Sequence, residues 1–213
     1  MKRIVIFLMV ALMTTTAFAK ESVPNYDWKE NRHSLSITAG APSGYFLMRE
    51  VMGALVLLPV ADHAKNSKYF GAYSFQYHYQ CLWWLKAGFK ATWEGDSHEM
   101  YKEKEQTTYT GKSFGHTMAI TPSVQFTYFN RKHVQLYSGI DLGLSVMLRD
   151  RRYAEGVTDS DGNQKKNELN AIFLPAINIT PIAVIAGGEH VYFLAETNIG
   201  SDAFIKGGIG FRF

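Results

Sequence analysis

Residues 83 to 94 read Trp-Trp-Leu-Lys-Ala-Gly-Phe-Lys-Ala-Thr-Trp-Glu. The odd positions Trp83, Leu85, Ala87, Phe89, Ala91 and Trp93 are apolar, whereas the even ones include Lys86, Lys90, Thr92 and Glu94. Successive side chains of a β-strand point to opposite faces, so this stretch predicts a strand with one face suited to hydrocarbon and one to polar surroundings.

The same alternation recurs along the chain. Met118, Ile120, Pro122, Val124, Phe126 and Tyr128 share one parity between 115 and 129, against Thr117, Ala119, Thr121, Ser123, Gln125 and Thr127. Val134, Leu136, Ile140, Leu142, Leu144, Val146 and Leu148 oppose Gln135, Gly139, Asp141, Gly143 and Ser145. At the C-terminus Ile205, Ile209, Phe211 and Phe213 oppose Lys206, Gly208, Gly210 and Arg212. Weaker members are His33 to Ala41, Tyr69 to Gln80, Glu168 to Val184 and His190 to Ile199. The segment with Pro175 and Pro181 has a blurred alternation and is expected to be bent or bulged.

About eight strands follow from this pattern. Short turns at Cys81-Leu82, Asn130 to His133 and Ala186 to Glu189 alternate with long or polar connections at Pro42 to Lys68, Gly95 to Ser113 and Val157 to Asn167. Backbone in hydrocarbon must pair every donor and acceptor within the protein, so a sheet spans a bilayer only when closed. The fold expected is all-β, an antiparallel transmembrane β-barrel over 33–213. A soluble barrel of lipocalin type would have to pack Trp83, Trp93, Tyr73, Tyr77, Tyr79 and Tyr128 inside, more volume than one barrel holds. Aromatic residues at the short-turn rim suit a headgroup girdle instead. Within the first long connection, Leu47, Val51, Leu55 and Leu58 recur at helical spacing, predicting a short amphipathic helix over 45–58.

Composition agrees. The 213 residues hold 22 Lys and Arg against 19 Asp and Glu, a net charge of +3, which gives no basic surface for nucleic acid. A single cysteine, Cys81, excludes an intramolecular disulfide. Lys2 and Arg3 precede an apolar run from Ile4 to Met13 and small residues ending Ala17-Phe18-Ala19. That order is a secretory signal, removed after Ala19, and its run is too short to remain as a membrane span. Residues 20–32 then form a polar N-terminal arm.

The closing residues Ala-Glu-Thr-Asn-Ile-Gly at 195 to 200 and Ile-Lys-Gly-Gly-Ile-Gly-Phe-Arg-Phe at 205 to 213 resemble the final hairpin of small outer-membrane barrels. The chain is similar to the OmpX-like eight-stranded proteins, particularly those of Bacteroides-type bacteria. The resemblance implies outer-membrane localisation in a Gram-negative envelope and contact with outer-membrane lipid and lipopolysaccharide. It also implies recognition of Phe211 and Phe213 by the insertion machinery. Family members differ in role, so the likeness assigns no activity.

Catalytic motifs are weak. His98-Glu99 lacks the second histidine of a zincin, and Asp159-Ser160-Asp161-Gly162-Asn163 lacks the closing glutamate of a calcium loop. Neither a metal nor another cofactor is expected. The enzymatic alternative is a lipid A deacylase or acyltransferase using His116 and Ser113, which needs the hydroxyl within reach of the imidazole. Eight strands leave a lumen that side chains fill, so a diffusion pore is not expected. Lys86, Lys90, Asp141, Glu196, Lys206 and Arg212 all have inward parity and are expected to form a polar network. The function expected is a non-enzymatic outer-membrane protein whose exposed loops serve interaction or envelope integrity; the external partner cannot be named from these residues.

Overall fold

The computed structural model describes residues 31–40, 42–43, 65–101, 109–131, 133–158 and 163–213. Among them are eight strands: β1 (His33–Gly40), β2 (Lys65–Leu82), β3 (Leu85–Tyr101), β4 (Tyr109–Asn130), β5 (Val134–Tyr153), β6 (Glu168–Gly187), β7 (Val191–Gly200) and β8 (Ile205–Arg212). Consecutive strands pair antiparallel, and β1 pairs with β8 from Ser34↔Arg212 to Gly40↔Lys206, so the sheet closes into a ring. The last residue completes the seam: His33 and Phe213 exchange two backbone hydrogen bonds, each 2.9 Å.

Alternation fixes the two faces. On β7, Tyr192, Leu194, Glu196 and Asn198 are buried while Val191, Phe193, Ala195 and Thr197 are exposed. In β1 the inward residues are Ser34, Ser36 and Thr38, and in β2 they are Ala72, Ser74, Gln76, His78 and Gln80. The ring is thus inverted relative to a soluble domain: polar inside, apolar outside.

Strand lengths are unequal. β1, β7 and β8 have 8 to 10 residues, whereas β2 to β6 have 17 to 22. The two- and three-residue turns after β2, β4 and β6 lie at one rim with the start of β1 and the end of β8, and the longer strands project at the other. β6 pairs with β7 only from Asn178 towards the short-turn rim, so its first residues are flanked by β5 on one side. There Leu169 and Phe173 are 71% and 76% exposed.

Three expectations need correction. The turn after β2 is at Trp83-Trp84, two residues later than Cys81-Leu82, because Leu82 still pairs with Leu85. Trp83 therefore belongs to a turn and not to the outward face of a strand. The connection expected from Gly95 to Ser113 is mostly sheet, since β3 runs to Tyr101 and β4 starts at Tyr109. Polar residues there end the apolar face without ending the ladder; His98 and Glu99 accordingly lie within β3 rather than in a loop. The leader at 1–19, most of the arm at 20–32 and the helix expected at 45–58 lie outside the described residues.

β6 carries the bulge that its prolines signal. Ile179 and Ile182 face Ile199 and Thr197, and Thr180 and Ala183 face Gly139 and Tyr137, so β6 has one extra residue against both neighbours. The extra residue switches parity. Asn178 and Thr180 point inward before it; Ala183 and Ile185 do so after it.

Candidate functional site in the lumen

At mid-height five charged side chains converge. Lys90 on β3 places Nζ 2.5 Å from Asp141 Oδ2 on β5 and 3.2 Å from Asp202 Oδ2 in the β7–β8 connection. Lys206 on β8 pairs with Glu196 Oε2 at 2.8 Å, its register partner on β7, and also with Asp202. Each of the five is at most 2% exposed. The three carboxylates have neutral donors as well. Asn178 Nδ2 donates to Asp141 Oδ2 at 2.9 Å, Gln76 Nε2 to both oxygens of Glu196 at 3.3 Å, and the Tyr137 hydroxyl to Glu196. Ser74 Oγ and the Ala203 amide donate to Asp202 Oδ1 at 3.2 and 2.8 Å. Charges removed from water are tolerated only when paired and hydrogen-bonded in this way.

Towards the short-turn rim the filling changes. Tyr137, Ala183, Ile185, Tyr192 and Leu194 form an apolar cluster across β5, β6 and β7, made possible by the β6 bulge. Gly210 lies opposite Tyr192, and a Cβ on it would stand 2.3 Å from the tyrosine ring, so the glycine makes room for the aromatic side chain. Below the cluster Arg212 stacks on Tyr192 at 4.7 Å and donates to Gln135 Oε1 at 3.1 Å, the same oxygen that Lys86 Nζ approaches at 3.3 Å. Beside them His78 and Ser123 are hydrogen-bonded at 2.9 Å. Towards the other rim Glu94 clamps Ser43, accepting from its hydroxyl at 2.5 Å and its amide at 3.3 Å.

These layers fill the barrel. Tyr137, Met100, Gln76 and Glu196 are among the largest fully buried side chains. The six inward charges expected from parity occupy two levels rather than one: Lys90, Asp141, Glu196 and Lys206 meet at mid-height, and Lys86 and Arg212 meet nearer the short-turn rim. Asp202 was missed because the Gly200-to-Ala203 connection has no period to read. The signal present was its length, the shortest on that rim, which forces the chain to cross close over the mouth.

The outer face carries an apolar band. Ile120, Leu144, Phe193 and Ile205 are each about two-thirds exposed, at 67%, 69%, 66% and 65%. At the short-turn rim His33 stacks on Phe213 at 5.5 Å and Trp84 on Phe126 at 6.3 Å. Higher up, Tyr73, Trp93 and His116 form a run of stacked rings at 5.7 and 6.0 Å across β2, β3 and β4. Aromatic rings at two levels of an apolar belt mark the two interfaces of a membrane-spanning barrel.

Ser113 and His116 do not meet. Ser113 is fully buried on the inner face, whereas His116 lies on the outer face against Trp93. Three residues apart in a strand means opposite faces, so no hydroxyl–imidazole pair is available from these two.

The fold and its lumen define a class: a closed eight-stranded antiparallel barrel with an apolar exterior and a filled polar interior. No protein-family model matches the sequence, and no curated relative matches it. Among solved structures, the chain is similar to Ail, the attachment invasion locus protein of Yersinia pestis. In its complex with the heparin analogue sucrose octasulfate, identity is 11% and TM-score 0.42, over 86% of this chain and 97% of that one. It is also similar to the N-terminal β-barrel domain of Pseudomonas aeruginosa OprF, with 12% identity and TM-score 0.39 over 86% and 99%.

Proposed function

We propose that this chain is an integral outer-membrane protein of the OmpX-like kind, exported by the leader that ends at Ala19, with no enzymatic activity. Its barrel is an anchor that holds the long ends of β2 to β6 and their loops outside the cell for interaction or envelope integrity. One observation carries this reading: the outward face is a continuous apolar band bounded by aromatic rings, while the inward face is charged, hydrogen-bonded and filled. Such a ring has no stable place in water, and its packed lumen gives solutes no path. The short-turn rim then lies in the periplasm and the projecting sheet outside. Leu169, Ile172 and Phe173, exposed on the projecting part of β6, support an interaction role there. Outer-membrane lipid and lipopolysaccharide surround the band, and Phe211 and Phe213 serve as the signal for the insertion machinery.

The test is fractionation of cells expressing the full chain, with gels run boiled and unboiled. Recovery in the outer membrane with faster migration unboiled is expected; detergent-free monomer in the periplasm would overturn the reading. Mass spectrometry of lipid A from cells with and without the protein tests the absence of a lipid-modifying activity, and any change in acylation would refute it.

A further inference from the structure

The outward face of the barrel is not uniform. Phe75, Ala91 and Ile120 are register partners across β2, β3 and β4, and the single methyl of Ala91 leaves a dip between two large side chains. Tyr73, Trp93 and Met118 make the next row towards the projecting rim. Together these side chains line an open apolar groove of about 490 Å³. Two cations stand above it on the same face. Lys68 pairs in register with Ser97 and Ser97 with Phe114, while Lys112 lies two residues beyond Phe114 on β4. Both lysines are exposed, and neither has a hydrogen bond or ion pair among the described residues. The acids nearby are engaged elsewhere: Glu99 accepts from the Tyr101 hydroxyl at 2.9 Å, and Asp150 from Arg152 at 2.9 Å.

Spacing identifies what fits. Two strands sideways and two residues along put the α-carbons of Lys68 and Lys112 about 12 Å apart. Ile120 lies six residues below the level of Phe114, which is about 20 Å of strand and, at a tilt near 40°, about 15 Å of depth. That is half of the roughly 30 Å hydrocarbon core, the depth that the acyl chain of one leaflet fills. Resting on the outer-membrane reading above, with this rim outside the cell, we propose that this face holds one molecule of lipid A, an acyl chain in the groove and its two phosphates at Lys68 and Lys112. A phospholipid brings one phosphate and satisfies one lysine. Lipid A brings two, at opposite ends of a disaccharide, and so meets two separated point charges on flexible stems. Tyr73 and Trp93 lie between the charged and the apolar part, where amphipathic rings are favoured. The bound lipid bridges β2 and β4 from outside, over β3.

The experiment uses the full mature chain, folded in neutral detergent and titrated separately with bisphosphoryl lipid A, monophosphoryl lipid A and phosphatidylglycerol, with adducts counted by native mass spectrometry. A one-to-one adduct with bisphosphoryl lipid A is expected, and about fivefold weaker binding of the monophosphoryl form, the effect of one lysine–phosphate contact at a membrane surface. Lys68→Gln and Lys112→Gln, both at exposed positions, should each weaken the bisphosphoryl adduct by about the same fivefold and abolish its advantage over the monophosphoryl form. Ala91→Phe fills the groove; it should weaken both forms alike and leave their ratio unchanged. Phosphatidylglycerol binding as tightly as bisphosphoryl lipid A, undiminished binding in both lysine variants, or no effect of Ala91→Phe each overturns the proposal. Fractionation separates the two levels of the argument: an outer-membrane barrel without these preferences overturns the lipid A site alone, whereas a soluble periplasmic chain overturns the outer-membrane reading and the site with it.

Discussion

Lys90 reaches Asp202 across the lumen at 3.2 Å, although 112 positions separate them in the chain. Asp202 in turn pairs with Lys206, so a residue of the β7–β8 connection joins a lysine of β3 to one of β8. The connection does more than reverse the chain: it drops a carboxylate into the mouth and closes the mid-height network from above. Asp202→Asn removes that charge while keeping its size. Lys90–Asp141 and Lys206–Glu196 remain as pairs, so the cost should be about 1.5–3 kcal/mol, that of losing hydrogen bonds to a charged group. Urea unfolding in detergent or bilayers measures this, and a change below the scatter of surface variants would show that Asp202 does not hold the network.

Glu196 and Lys206 face each other in the β7–β8 hairpin. Their coupling is expected at about 0.5–3 kcal/mol in a double-mutant cycle. Lys206 also pairs with Asp202, so Lys206→Met alone should cost more than Lys206→Met combined with Glu196→Gln, since the single change leaves Lys90 to offset three buried carboxylates and the double change only two. Additive single effects would mean that the pair contributes nothing beyond its members.

Ile140 is exposed on the apolar band, next to inward Asp141. Placing a cation there, Ile140→Arg, should cost about 2–4 kcal/mol if the residue lies near the middle of the membrane. Lys112 is exposed on β4 beyond His116, above the upper aromatic level. For Lys112→Gln the change should stay within about 0.5 kcal/mol. The contrast is read from refolding into lipid vesicles, and equal effects at the two positions would contradict the placement of the band.

Gly210 leaves room for the Tyr192 ring. Gly210→Ala should destabilise by about 1–3 kcal/mol, through displacement of the tyrosine from its stack with Arg212. Combining it with Tyr192→Ala should recover part of the loss. Circular dichroism melts of the four proteins in detergent check the relation.

Deleting Phe213 removes the two backbone hydrogen bonds to His33 and the ring stacked on it. Outer-membrane levels in cells should fall. Refolding of the purified variant into vesicles, where no insertion machinery is present, isolates the loss of seam closure from the loss of the recognition signal. A normal refolded fraction with reduced cellular levels assigns the defect to recognition.

Much of this architecture could be read directly from the chain. Period-two alternation placed Lys90, Asp141, Glu196 and Lys206 inside and Ile140, Leu144 and Phe211 outside, because strand geometry sends neighbours to opposite faces wherever the strand lies. The mismatch of Ser113 and His116 was equally legible, since an interval of three reverses the face. The blurred segment around Pro175 and Pro181 signalled a bulge, but its run of apolar residues could not show that parity switches there to put Ala183 and Ile185 inside. Polar residues after Gly95 read as a loop because polarity reports the end of the membrane, whereas the ladder continues as long as a neighbouring strand accompanies it. Which inward charges meet is a different kind of fact. Lys90 finds Asp141 two strands away and Asp202 in a connection, while Lys86 and Arg212 gather nearer the rim at the amide oxygen of Gln135. Those contacts depend on strand stagger and on where a connection dips into the mouth. Both are set when the ring closes, by interactions between residues far apart in the chain.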